Sequence, residues 1–75
     1  MQRYIILLTS LTYVNKAKCI LTENNIKSYI VKLRAIQERR GCGYGLEVSE
    51  NYLNNAVSII EKYRIKIVEV IEDRD

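Results

Sequence analysis

Apolar positions recur along this chain in two rhythms, spread over six successive segments. Residues 4–8 form an unbroken apolar run rich in isoleucine and leucine, too short for a helix of its own, and read as a central strand. Thr9, Ser10 and Thr12 then offer hydroxyls suited to capping a helix start, after which Tyr13, Val14, Ala17, Ile20 and Leu21 recur at helical spacing. The pattern predicts a helix over residues 11–24 that buries this stripe and leaves Cys19, nearly opposite it, facing solvent. Asn24 and Asn25 mark its end, because asparagine tolerates the left-handed backbone better than most residues.

Residues 26–33 set Tyr29, Val31 and Leu33 against Lys27 and Lys32 in imperfect alternation, which predicts an edge strand whose lysines discourage stray pairing. Tyr44, Leu46 and Val48 alternate with Gly45 and Glu47 over residues 44–48, a strand with one face buried. Ser49 precedes Glu50 and a stripe of Leu53, Ala56, Val57 and Ile60, so it caps a second helix over 50–63 with an acid in its first turn. A β-branched strand over 65–71 follows, and 72–75 reads as a polar tail that frays.

Strand, helix, strand, strand, helix, strand is the order of two split βαβ units. The expected fold is a ferredoxin-like α+β two-layer sandwich over residues 1–75, with antiparallel sheet order 4-1-3-2 and both helices on one face. The other sheet face has no helix of its own. Apolar side chains of the first and last strands point both ways, so that face is a candidate homodimer surface, or else ordinary exposed apolar surface.

Size and composition narrow the function. With 75 residues, 48% of them hydrophobic, and six tyrosines as the only aromatics, the chain has material for one helix layer on one sheet and hardly for an enclosed pocket. That favours a carrier or accessory protein over a stand-alone enzyme. A net charge of +3 is too small to imply nucleic acid, and the apolar run near the N-terminus is far too short to cross a membrane. Two cysteines without a signal-peptide pattern do not make a secreted disulfide framework, which places the chain in a reducing cytoplasm. Without histidine and without a Cys-x-x-Cys pair, neither a metal site within the chain nor a bound cofactor is expected.

One segment carries chemistry. Residues 34–45 hold all three glycines, an arginine group at Arg34, Arg39 and Arg40, and Cys42 between Gly41 and Gly43. A thiol attacks only as thiolate; neighbouring arginines lower its pKa, and flanking glycines leave its sulfur open. In the expected topology the loops after strands one and two emerge at the same end. That brings Cys42 towards Thr9, Ser10 and the free amides opening the first helix, whose partial positive charge favours an anion. Arg64 joins the same end, while Glu23, Glu47, Glu50 and the acidic tail collect at the other; Glu38 and Glu61 dilute the contrast. Two readings stand here: a reactive thiol in a cationic corner, or a glycine-rich hairpin with solvated arginines and a structural cysteine. A disulfide between Cys19 and Cys42 is not expected, since one lies mid-helix and the other in an end loop.

The sequence also resembles, over nearly its whole length, a small bacterial domain family described as selenium or sulfur carrier-like. Its pattern is an apolar strand, a Ser/Thr turn, a helix, a strand ending in Pro-Arg, a loop closing on Ser-Cys-Gly or Gly-Cys-Gly, and an apolar strand. Leu33-Arg34, Gly41-Cys42-Gly43 and residues 44–48 stand at the later places. Leu33 replaces the proline, and Thr12 stands where many members have histidine, so a general base of the pattern is missing here. The resemblance implies that Cys42 takes up sulfur or selenium as persulfide or perselenide. A donor enzyme and an acceptor protein would be its partners, with Arg34, Arg39, Arg40, Gly41, Gly43 and Ser10 holding the charged adduct. The alternative is a non-catalytic regulatory or interaction module that dimerises through its sheet. A thiol redox enzyme fits less well, because no resolving cysteine lies within reach.

Overall fold

A computed structural model describes residues 2–33 and 43–73. The elements run β1 (Arg3–Leu8), α1 (Leu11–Glu23), β2 (Tyr29–Lys32), β3 (Tyr44–Ser49), α2 (Glu50–Lys62) and β4 (Ile67–Asp73). The sheet order is β2-β3-β1-β4, with β3 antiparallel to both β1 and β2 and β4 antiparallel to β1. This is the ferredoxin-like arrangement that the alternating rhythms predict.

Why each helix starts and stops can be read from its ends. Ser10 adopts extended backbone and its hydroxyl accepts from the Tyr13 amide at 3.3 Å; Ser49 accepts likewise from the Asn51 amide. Each such cap stabilises its helix by about 1 kcal/mol. Both helices finish the same way, on a left-handed residue, Asn25 at φ 62° and Arg64 at φ 61°. The Asn25 and Ile26 amides donate to the Thr22 and Leu21 carbonyls, and the Arg64 and Ile65 amides to those of Glu61 and Ile60. Ile26 and Ile65 are buried against the core, completing two Schellman motifs with their apolar contact.

Those motifs correct two boundaries. Residues 26 and 65 were expected to open strands, but each is the anchor of a helix end, so β2 and β4 begin later, at Tyr29 and Ile67. At the far end β4 runs on through Glu72 and Asp73, which pair with Tyr4 and Arg3, where a fraying tail was expected. Opposite Leu7 and Leu8 the register of β4 slips, and Val68 bulges outward, exposed.

The sheet separates two sets of side chains by parity. Ile6, Leu8, Leu46 and Val48 face the helices and pack with Val14, Ala17, Leu21, Ala56 and Ile60. Ile5, Leu7 and Leu33 lie on the helix-free face with Val31 and Ile71 beside them. Although no described helix covers that face, Ile5 is only 5% exposed, Leu7 0% and Leu33 3%. The space is closed partly by Gly45: a Cβ there would collide with Ile5 Cγ2 and crowd Leu7 Cδ2 at 3.2 Å. Three apolar side chains of the candidate dimer surface are thus already withdrawn from water within one chain.

Candidate functional site

Of the residues singled out from sequence, Ser10 and Gly43 are described; Arg34, Arg39, Arg40, Gly41 and Cys42 lie outside the described residues. β2 and β3 bracket them. The Leu33 amide donates to the Gly43 carbonyl at 2.9 Å, and Gly43 takes φ 87°, a left-handed backbone that an L side chain adopts only with strain. Leu7 stands opposite Gly45 across β1 and β3, so the end of β1, with Thr9 and Ser10, lies at the same end of the sheet as Gly43.

That end is cationic in part. Helix α1 has no acidic residue in its first turn, so the positive pole of its backbone is left without a compensating carboxylate from that turn. Lys62 closes the last turn of α2, followed by exposed Arg64 and Lys66. Glu69, opposite Leu7, brings a carboxylate to this end that the sequence pattern did not assign there. The other end holds Glu50 in the first turn of α2, and Glu72 and Asp73 at the close of β4. Ser10 has its hydroxyl engaged as a cap, which leaves the amides of Leu11 and Thr12, ahead of the first intrahelical donor, as anion donors. Cys19 is free and exposed, as the helical stripe predicts.

Nothing in the periodicity pointed to the depressions at the opposite end. A cavity of about 340 Å³ is bounded by Arg3, Lys27, Tyr29, Glu47, Ser49 and Tyr52. A second, of about 450 Å³, lies against Lys18, Thr22, Ile26 and Ser28. Within the first, Arg3 donates to Glu47 Oε1 at 2.8 Å, and that bond and charge hold the guanidinium further above its ordinary pKa. Tyr29 and Tyr52 are about half exposed, at 52% and 46%. These side chains come from separate elements, so no local motif could have announced them. Among the described residues no group of His, Cys, Asp and Glu could hold a metal ion, and no helix is long and apolar enough to cross a membrane.

The family model described as "Putative Se/S carrier protein-like" matches residues 3–72. The chain belongs to this Se/S carrier-like family. No curated protein and no solved structure shows a significant match. The matched span runs from the first residue of β1 to the penultimate residue of β4, so it takes in every element of this Se/S carrier-like domain together with residues 34–42.

Proposed function

We propose that this Se/S carrier-like protein accepts a sulfur or selenium atom on Cys42 from a donor enzyme and hands it to an acceptor protein. The Cys42 thiolate attacks the outer chalcogen of the donor's persulfide or perselenide; the new bond forms at Cys42 as the donor's thiolate leaves, and oxidation states balance without a further reactant. In the second half the acceptor's nucleophile attacks that outer atom and Cys42 leaves as thiolate. Arg34, Arg39 and Arg40 hold the anionic adduct, Gly41 and Gly43 leave it uncovered, and the first amides of α1 behind the Ser10 cap add donors.

The family match across the chain carries this reading. It is supported by the placement of Gly43, the residue after Cys42, at the sheet end where α1 begins without an acidic first turn. No deep pocket is needed, in keeping with a domain of this size. The test is an intact-mass spectrum after incubation with a cysteine desulfurase and cysteine, or with a selenium donor. One added chalcogen atom, reversed by a thiol reductant and lost in Cys42→Ser, is the expected result; an unmodified Cys42 overturns it. An ordinary thiol pKa from the alkylation rate against pH would favour the interaction-module reading instead.

A further inference from the structure

The open edge of β2 lies beside two cavities, and its free backbone groups can be assigned. In an antiparallel ladder, facing residues alternate between pairs that exchange hydrogen bonds and pairs that do not. The bond from the Leu33 amide to the Gly43 carbonyl makes that pair a bonded one. Alternation then makes Val31 with Gly45 and Tyr29 with Glu47 bonded pairs too. The other side of β3 agrees: the Glu50 amide donates to the Gln2 carbonyl, so Val48 with Tyr4 and Leu46 with Ile6 are bonded across β1. Ile30 and Lys32, and Ser28 just before the strand, therefore direct their amides and carbonyls away from the sheet. β2 ends the sheet on this side, and no described strand meets those groups.

The two cavities lie side by side at the start of this edge. The helix-side one lies between α1 and the edge, against Lys18, Thr22 and Ser28. Ser28 is 6% exposed, and its Oγ is buried with no hydrogen-bond partner among the described residues. The other lies at the end of the sheet where β3 passes into α2, against Arg3, Tyr29 and Tyr52. Asn25, Lys27 and Tyr29 border both. Successive side chains of a strand point to opposite faces, so every second residue of a strand added here would meet the cavity against α1.

Charge selects the occupant. Lys18, Lys27 and Lys32 surround the edge with no ion pair among the described residues, and the one carboxylate bordering either cavity, Glu47, is already bonded to Arg3. Lysines on an edge repel a second copy of that edge, and they attract a strand that carries carboxylates. We infer that the β2 edge is a strand-addition site for an extended acidic segment of a partner protein. The inference goes beyond the carrier reading and uses none of its residues.

The test titrates labelled protein with a five-residue capped peptide of alternating glutamate and valine and follows backbone amides by NMR. The expected result is shifts centred on Ser28, Ile30 and Lys32, and amide exchange there slowed about tenfold or more at saturation. Two peptides methylated on alternate amides should differ, one register losing binding and the other keeping it, because only one row of amides faces β2. Lys18→Glu combined with Lys32→Glu should weaken binding about tenfold, and Cys42→Ser should leave it unchanged, which separates this outcome from the fate of the carrier proposal. Equal binding of a lysine-for-glutamate peptide, equal binding of both methylated peptides, or no shifts at millimolar peptide overturns the inference. So does broadening of the same amides on concentrating the protein alone, which would make a second copy the occupant.

Discussion

The Leu33 amide and the Gly43 carbonyl are joined by a 2.9 Å hydrogen bond, so the two residues that bracket 34–42 are tied to each other at the end of the β2–β3 ladder. Gly43 makes this closure with φ 87° and with no atom within 4 Å of where a Cβ would stand. Gly43→Ala should therefore cost about 1–2 kcal/mol through backbone strain alone, read as a lower urea midpoint at unchanged slope. An unchanged midpoint would mean that the left-handed conformation is not required.

Gly45 poses the opposite case, since space decides it. Its Cβ position is taken by Ile5 Cγ2 and crowded by Leu7 Cδ2. Gly45→Ala is expected to lose about 1–3 kcal/mol by overpacking. Placed on Ile5→Ala, which removes the colliding methyl, the same change should cost clearly less. Additivity of the two changes would disprove the contact as the cause.

Arg64 holds a left-handed backbone at φ 61° where the chain leaves α2, without the freedom of glycine. Arg64→Gly should raise stability by about 0.5–1 kcal/mol. Arg64→Ala keeps the strain and should gain nothing. If both variants behave alike in thermal unfolding, the effect belongs to the charge and not to the backbone.

Ser10 serves two arguments that one pair of variants can divide. Ser10→Ala removes the acceptor for the Tyr13 amide and should cost about 1 kcal/mol. Ser10→Asp keeps an acceptor and should hold stability, while adding a negative charge at the start of α1. If Cys42 works beside that helix start, the carboxylate disfavours the thiolate, and the alkylation profile of Cys42 moves to higher pH. A profile identical to wild type would detach Cys42 from the helix.

Much of the architecture was legible because period two and period 3.6 separate cleanly here. Val14, Ala17 and Leu21 belong to one helical stripe, and Leu46 and Val48 to one strand face. Element starts were less so, for one physical reason. An isoleucine that anchors a Schellman motif looks, in sequence, like the first residue of a β-branched strand, and Ile26 and Ile65 both have that look. Glu72 and Asp73 looked like a tail because their polarity conceals backbone pairing with Tyr4 and Arg3. At the candidate site, the Ser10 cap was legible from its hydroxyl before a helical stripe, whereas the carboxylate of Glu69 near the cationic end depends on strand register. The cavities at the other end depend on side chains as far apart as Arg3 and Tyr52, and such convergence leaves no local pattern.

The described connections of the chain are each pinned by a cap or an anchor. β1 passes to α1 through residues 9–10 with a cap, β3 passes directly into α2, and both helix exits are locked by left-handed residues and buried isoleucines. Lengthening any of these would shift a cap or an anchor. The bond between Leu33 and Gly43 shuts the β2–β3 ladder at its base, so the register of these two strands is fixed by their own pairing whatever the length of chain between them.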